Sequence, residues 1–229
     1  MTNVKCLATG STGNCYILTI DGSQFILDAG CNWQKLMREV NLNDIEFAYI
    51  SHTHKDHSRN YDKLLKNKVK CLDGININGL EENQIKAKNG ALYLISRFDI
   101  KHGDCNNAAL VIQSDSECVL NATDFNLCEY DLTMFKFTHI LVECNYVEEM
   151  VNQCSDRVRR ENNIDRHMGL EGTKIFLDSL DLSQCREIDL IHISQNFGNP
   201  ILMWSDIYSR YHIDVGVCKQ YGGIDYYGR

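Results

Sequence analysis

The feature that most constrains this chain is the hexapeptide at residues 52–57, His-Thr-His-Lys-Asp-His, which closely follows an apolar run. Residues two apart on an extended strand face the same side, so His52 and His54 can bind one ion together. Asp56 and His57 come where the strand should turn into a helix, and from there they can reach a second ion. Three imidazoles and a carboxylate suit transition metals. The hexapeptide therefore predicts a site for two adjacent metal ions.

Three residues further along the chain, each near the end of a strand-like run, supply what a two-metal site still needs. They are His102, Asp124 and His192. A lone histidine in an apolar strand usually has a structural role. The ends of neighbouring strands gather at one rim of a sheet, however, and we expect these three side chains to meet the hexapeptide there.

The length of 229 residues, the apolar fraction of 44% and the single proline predict one globular domain spanning residues 1–229. Apolar runs between turn signals predict strands at residues 4–8, 15–20, 25–27, 47–50, 92–95, 108–112, 118–121, 140–143, 188–194 and 215–218. Helical periodicity predicts helices at residues 32–40, 58–67, 170–180 and 201–211, with a helix and a loop within 146–166. Strand-rich halves flanked by helices predict an α/β fold of layered sheets covered on both sides.

The chain contains no run of about 18 apolar residues, so we expect no membrane span. Its first residues lead into a strand-like segment without a signal-peptide pattern. The 11 cysteines include no CxxC pair, which argues against a disulfide framework and an all-cysteine zinc site. Cys105, close behind His102, is the one cysteine that could neighbour a metal. These features predict a cytoplasmic protein.

A net charge of −8 argues against non-specific binding of polyanions over the whole surface. A nucleic-acid substrate would therefore need a local basic patch. The lysine cluster is best explained as a solvated helix face and contains Lys63, Lys66, Lys68 and Lys70. The arginine cluster could bind the phosphate of a substrate and contains Arg157, Arg159, Arg160 and Arg166.

Asp28 in Leu27-Asp28-Ala29-Gly30, the hexapeptide and its three downstream partners resemble the motifs of metallo-β-lactamase-fold hydrolases in order and spacing. The resemblance covers nearly the whole chain. It implies a four-layer αβ/βα sandwich, in which two mixed β-sheets are flanked by helices, and a metal-dependent hydrolytic activity.

The resemblance also implies two divalent cations, one held by His52, His54 and His102 and the other by Asp56, His57 and His192. Asp124 would bridge the two ions, and Asp28 would orient a ligand histidine from behind. Histidine-rich coordination favours zinc, while manganese or iron would fit the two carboxylates. Two such ions about 3.5–4 Å apart would activate a bridging water as hydroxide and present it to phosphorus.

The ligand set separates the chain from two groups that share the fold. Flavo-diiron oxidoreductases place a glutamate where His54 stands, which argues against redox chemistry. True lactamases commonly lack a ligand aspartate at the position of Asp124. A bridging aspartate fits the phosphodiesterase and lactonase branches better.

Two further residues favour phosphodiester substrates. Glu143 in Glu143-Cys144-Asn145-Tyr146 and His167 in Arg166-His167-Met168-Gly169 resemble a glutamate–histidine pair of tRNase Z-type enzymes that carries a proton to the leaving oxygen. A carboxylate can orient an imidazole and stabilise its charge, so that the imidazole acts as a general acid. The alternative is that Glu143 is an ordinary carboxylate at the end of a strand and that His167 is a histidine at the start of a helix. The predicted catalytic residues are Glu143, His167 and Asp56, which is also a metal ligand.

The chain departs from tRNase Z itself. Residues 146–165 are too few for the flexible arm that grips tRNA, and Gly169 stands where that family has a hydroxyl residue. Residues 124–192 leave no room for the inserted domain of β-CASP nucleases such as RNase J. What remains resembles small arm-less bacterial and phage relatives, which share Gly-Ser-Thr-Gly-Asn at 10–14 and the pattern at 143–146. Some of these are DNA exonucleases, and others, among phage counter-defence enzymes, cleave cyclic nucleotides.

The sequence therefore predicts a dinuclear-metal phosphodiesterase that acts on nucleic acid, without a membrane partner. A cyclic-nucleotide phosphodiesterase is the main alternative, since the acidic charge and the lack of an extended basic groove favour a small substrate. A lactonase or thioester hydrolase would leave Glu143 and His167 without a chemical purpose. A metal-stabilised binding module is disfavoured because no ligand is missing. Relatives often dimerise, so a homodimer is a further expectation.

Overall fold

Two β-sheets pack face to face, and helices cover both outer sides. The structure is a computed structural model that describes residues 1–227. The first sheet, in the order β1-β2-β3-β4-β5, contains β1 Thr2–Ala8, β2 Cys15–Ile20, β3 Ser23–Leu27, β4 Ile45–Ile50 and β5 Cys71–Asp73. The second sheet runs in reverse order from β13 to β6 and contains β6 Leu80–Lys86, β7 Leu92–His102, β8 Cys105–Gln113, β9 Cys118–Ala122, β10 His139–Glu143, β11 Glu187–Ile191, β12 Asp214–Cys218 and β13 Ile224–Asp225.

The helices of the first half are α1 Trp33–Glu39, α2 Lys55–Ser58 and α3 Tyr61–Lys66, with a 3-10 turn at Leu42–Asp44. Those of the second half are α4 Glu148–Asn152, α5 Arg157–Arg166, α6 Leu170–Asp178 and α7 Pro200–Tyr211. Asparagine side chains cap the first turns of two helices. Asn32 accepts hydrogen bonds from two backbone amides of α1, and Asn199 accepts one from a backbone amide of α7, which starts with a proline. Among the described residues, no helix is long and apolar enough to cross a bilayer.

Alternation along the strands divides the core into layers. In β4, Phe47 and Tyr49 face the space between the two sheets, whereas Ala48 and Ile50 face the helices outside the first sheet. Both faces of this strand are buried, which explains why its apolar run is continuous rather than alternating.

Each sheet is mixed and carries helices on its outer face. The first sheet is antiparallel from β1 to β3 and parallel from β3 to β5, and the second has a parallel centre from β9 to β12 between antiparallel edges. Leu36 of α1 and Leu64 of α3 cover the first sheet, while Leu177 of α6 and Ile207 of α7 cover the second. The predicted architecture of two mixed sheets flanked by helices is confirmed.

Some predicted elements differ from those observed. The expected helix at 58–67 begins only at Tyr61, as α3, because α2 ends at Ser58 and the side chain of Asn60 donates to the carbonyl groups of Ala29 and Cys31. The expected strand at 188–194 ends at Ile191, since His192 has a left-handed backbone with φ of 55°. β5, β6 and β13 were not predicted. β6 is a polar edge strand in which only Ile85 is buried, so it lacks the apolar signal of a strand.

Candidate metal centre

The residues singled out in the sequence gather at one rim of the sandwich, where strands end. Asp28 follows β3, His52 follows β4 after Ser51, His102 ends β7, Asp124 follows β9, Glu143 ends β10 and His192 follows β11. Because β9, β10 and β11 are parallel neighbours, their carboxyl ends share one edge of the sheet. Both α2, which carries Asp56 and His57, and the end of α5 reach the same rim.

Three of these strand-end residues have left-handed backbones. The φ angles are 56° at Asp28, 51° at Asp124 and 55° at His192. Residues other than glycine rarely adopt this conformation, and each instance costs on the order of 1–3 kcal/mol. The surrounding fold therefore maintains a sharp turn at three positions where a side chain is directed into the rim.

Glycines allow two loops to pack directly beneath the hexapeptide. A Cβ atom at Gly30 would lie 1.6 Å from the carbonyl oxygen of Asp56, and one at Gly13 would lie 2.7 Å from that of Gly30. The buried Asn14 lies in the same contact, with its backbone N–H donating to the Asp56 carbonyl at 2.6 Å. The loop from Gly10 to Asn14 thus fixes the backbone that presents Asp56 and His57.

The first predicted ligand set converges on a single point. Nδ1 of His54 lies 3.0 Å from Nε2 of His52 and 3.3 Å from Nε2 of His102. Oδ2 of Asp124 lies 3.6 Å from Nε2 of His52 and 3.7 Å from Nε2 of His102. A tetrahedral zinc ion with bonds of about 2.0–2.2 Å would separate its ligand atoms by about 3.3–3.6 Å. The four atoms are therefore spaced as one cation requires.

The second ligand set shares the Asp124 carboxylate with the first. Nε2 of His57 lies 3.3 Å from Oδ2 of Asp124 and 3.5 Å from Oδ2 of Asp56. Nε2 of His192 lies 3.8 Å from Oδ2 of Asp56, and this buried nitrogen has no hydrogen-bond partner among residues 1–227. A buried polar atom without a partner is costly, and a cation between these groups would satisfy it.

Four carboxyl groups meet at the rim, and those of Asp28, Asp124 and Glu143 are fully buried. Burial alone would raise the pKa of Asp124, but His192 and His57 hold it well below its usual range. Burial would likewise lower the pKa of His57, but the carboxylates of Asp28 and Asp124 raise it well above the usual value. Two divalent cations could take over this charge balance, since a buried negative charge must be paired.

His52 has the opposite environment. Its burial, followed by the positive charge of His57, lowers the pKa of its imidazole to about 2. The ring is therefore neutral at physiological pH, which is the form that binds metal. The donor atoms and their spacing fit a pair of divalent cations.

Hydrogen bonds behind the ligands hold the rings and loops in place. Nδ1 of His57 donates to Oδ2 of Asp28 at 2.6 Å, and Nδ1 of His102 donates to the carbonyl of Arg166 at 2.9 Å. Partners of this kind set the tautomer and orientation of a ligand histidine. Asn107 donates to the Asp124 carbonyl at 2.6 Å, and Asn145 donates to the His192 carbonyl at 2.7 Å.

The sequence pattern predicts no role for these asparagines. Asn145 belongs to a segment that resembles small relatives, and Asn107 lies 17 residues from its partner Asp124. Asn107 lies within the buried strand β8 and Asn145 shortly after the buried strand β10. A buried amide requires hydrogen-bond partners, and this was the available signal in the sequence.

Glu143 and His167 lie in direct contact beside the two ligand sets. Oε1 of Glu143 accepts from Nδ1 of His167 at 2.7 Å and lies 2.9 Å from Nδ1 of His192. Its other oxygen accepts from the backbone N–H of Phe125 at 2.8 Å. Burial would raise the pKa of Glu143, but the charge and hydrogen bond of His167 lower it. An ionised, buried carboxylate therefore orients an imidazole whose side chain is 17% exposed.

A cleft of about 550 Å³ opens beside His167 and His192. Arg159 and Arg166 line it, whereas Arg157 and Arg160 do not. The four arginines lie on or at the end of one helix, α5, so a single face cannot present them all. Arg157 instead pairs with Glu161 one turn along, at 2.7 Å.

Arg166 also borders a smaller opening of about 310 Å³, together with His54, His102 and Cys105. Cys105 therefore lies at the edge of the centre but belongs to neither ligand set. The rim is accessible on both sides of Arg166.

No family sequence model matches the chain, and no curated protein matches it by sequence. Its structure is similar to that of YhfI from Bacillus subtilis, a metallo-β-lactamase-fold protein, with a TM-score of 0.70 at 15% identity over 98% of this chain and 99% of that one. This protein has the metallo-β-lactamase fold.

Two other solved structures share the metallo-β-lactamase fold at greater distance. Zinc-bound PqqB from Methylobacterium extorquens has a TM-score of 0.63 and 12% identity, over 96% of this chain and 98% of that one. A long-form RNase Z from yeast has a TM-score of 0.56 and 13% identity, and the match covers 85% of this chain but only 37% of the RNase. At these identities the likeness shows the fold alone.

Proposed function

We propose that this protein is a metal-dependent phosphodiesterase that hydrolyses nucleic acid. The observation that carries the proposal is the contact between Glu143 and His167 beside two converging ligand sets. A hydrolase of lactones or thioesters would need the metal centre but would have no evident use for this pair. Proteins of similar fold include zinc-bound PqqB and an RNase Z, which supports zinc as the cofactor and RNA as one substrate class.

In this proposal His52, His54 and His102 would hold one cation and Asp56, His57 and His192 the other, with Asp124 a ligand shared by both sets. Bound divalent cations would supply an activated water and neutralise charge on the phosphate. Two groups of donor atoms that share the Asp124 carboxylate support the proposal of two cations. Zinc is the favoured ion because five of the seven ligands are imidazoles.

His167, which Glu143 orients, and the two arginines of the cleft would act on the substrate. Glu143 holds Nδ1 of His167, so Nε2 is the nitrogen left to give a proton to the leaving oxygen in the cleft. Since Glu143 is buried and ionised, it also stabilises the protonated ring. Arg166 and Arg159 provide positive charge along the cleft for a phosphate group.

A cyclic-nucleotide phosphodiesterase is the second candidate, and the cleft itself favours it. A volume of about 550 Å³ falls within the range of about 300–1,000 Å³ typical of small-molecule sites. Among residues 1–227, two arginines line that cleft, and the net charge of −8 does not favour binding of a long polyanion. The two candidates share one metal centre and differ in what occupies the cleft.

Hydrolysis of defined substrates tests the proposal. We expect the zinc-loaded protein to cleave a linear single-stranded DNA or RNA oligonucleotide, and chelation to remove this activity. Products would be resolved by chromatography, in parallel with cyclic mononucleotides, a lactone and a thioester at equal concentrations. Cleavage of cyclic mononucleotides alone would favour the second candidate. Turnover of only the lactone or thioester would refute phosphodiesterase activity.

Replacement of one arginine separates the cleft from the rest of α5. We expect Arg166→Ala to raise KM roughly 10- to 100-fold with a smaller effect on kcat, because a hydrogen bond to a charged group contributes about 1.5–3 kcal/mol. The matched control is Arg157→Ala on the same helix, which removes only an exposed pair with Glu161. Steady-state kinetics of both variants measure the difference. Equal KM values for the two would exclude Arg166 from substrate binding.

A further inference from the structure

Ser51 lies between two ligand histidines and a buried carboxylate. Its side chain is fully buried at the end of β4, one residue before the hexapeptide. Oγ lies 3.0 Å from Nδ1 of His52, and 2.9 and 3.1 Å from the two carboxylate oxygens of Asp28. It also lies 3.3 Å from Nδ1 of His57. One hydroxyl thus contacts both ligand sets from behind.

The directions of these hydrogen bonds follow from counting protons. A hydroxyl has one proton to donate, and the Asp28 carboxylate can only accept it. The lone pairs of Ser51 Oγ are then left to accept a proton from a neighbouring ring. His57 already donates its Nδ1 proton to Asp28 at 2.6 Å. His52 is therefore the donor to Ser51, which places its proton on Nδ1.

A proton on Nδ1 of His52 leaves the lone pair of Nε2 directed at the first ligand set. That nitrogen lies 3.0 Å from Nδ1 of His54 and 3.6 Å from Oδ2 of Asp124. The opposite tautomer would point an N–H at the cation and prevent coordination. The choice of tautomer at His52 thus decides whether the first set can bind a metal.

We propose that Ser51 is a positioning residue that fixes the Nδ1-protonated tautomer of His52 and so links the first ligand set to Asp28. Asp28 acts directly on His57, which belongs to the second set, and reaches His52 only through Ser51. A single carboxylate then orients one ligand of each cation. This inference rests on the metal centre of the proposed function but on no particular substrate.

Zinc titration of Ser51→Ala tests the inference. We expect one zinc ion to bind with wild-type affinity and the other about 10- to 100-fold more weakly, the usual cost of removing a hydrogen bond behind a metal ligand. In nitrogen-15 NMR spectra, the signals of His52, His54 and His102 should change only during the weaker step. Ser51→Thr, which keeps the hydroxyl, should restore most of the affinity. Ser96→Ala is the matched control, because Ser96 is a buried strand serine bonded to Glu82 away from the rim.

The tautomer of His52 can also be read in the metal-free wild-type protein. We expect nitrogen-15 shifts of the Nδ1-protonated form there and of the Nε2-protonated form in Ser51→Ala. An Nε2-protonated His52 in the wild type would overturn the inference even if the variant failed to fold. Unchanged zinc affinity, or equal weakening of both ions, would also overturn it. Absence of phosphodiester hydrolysis would refute the proposed function without affecting this result.

Discussion

The double variant His52→Ala/His54→Ala should lose phosphodiester hydrolysis by a factor of about 10³ or more. Both residues belong to the first ligand set, and their removal leaves only His102 and the shared Asp124 for that cation. A Lewis acid contributes several kcal/mol to the stabilisation of a phosphoryl transition state. Each 1.36 kcal/mol corresponds to a factor of ten in rate. The loss is therefore expected in kcat rather than in KM.

Metal content is the decisive second measurement for this variant. Elemental analysis should find two zinc ions per wild-type chain and one per double variant, because the second ligand set is intact. The control is His212→Asn, which replaces an exposed histidine after α7 with a residue that tolerates the left-handed backbone there, φ 54°. It should keep both ions and full activity. Full activity in the double variant would rule out the metal-dependent mechanism.

The parts of this centre that lie close together in sequence could be predicted well. The spacing of His52 and His54 follows from strand geometry alone, and the distance of 3.0 Å between their ring nitrogens agrees with it. His102, Asp124 and His192 were expected to meet at strand ends. The structure brings them to one rim, Asp124 and His192 because β9, β10 and β11 are parallel neighbours and His102 because it lies at the turn between β7 and β8. That argument depends on the architecture more than on the exact bounds of each strand. It gave the right rim even though β11 ends at Ile191.

The residues behind the ligands could not be predicted in the same way. Ser51 meets Asp28, which lies 23 residues earlier, and Asn145 meets His192, which lies 47 residues later. Such contacts depend on how two strands register across a sheet, and composition or periodicity carries no information about them. The placement of the arginines could not be predicted for a related reason. Arg159 and Arg166 line the cleft and Arg157 does not, and the rotation of α5 depends on contacts far apart in sequence, such as those of Arg166 with His102 and of Asn163 with Asn145.

Replacing His167 should slow turnover about 10²- to 10⁴-fold and leave both zinc ions bound. This is the usual contribution of a general acid, and His167 belongs to neither cation's predicted ligand set. The centroid of the His167 ring lies 5.4 Å from that of His102 and 5.1 Å from that of His192. His167 therefore lies beside the ligand histidines without belonging to either predicted set. His167→Ala should therefore separate chemistry from metal binding. Kinetics and elemental analysis on the same sample measure both.

The leaving group distinguishes a proton donor from a structural residue. A nucleoside alkoxide needs a proton as it departs, whereas the p-nitrophenolate of bis-p-nitrophenyl phosphate is stable without one. The loss caused by His167→Ala should therefore shrink to less than about tenfold on that substrate, because general-acid catalysis contributes little when the leaving group is already stable. Equal losses on both substrates would show that His167 positions the substrate rather than donating a proton. Unchanged turnover on every phosphodiester would leave the Glu143–His167 pair without a catalytic role.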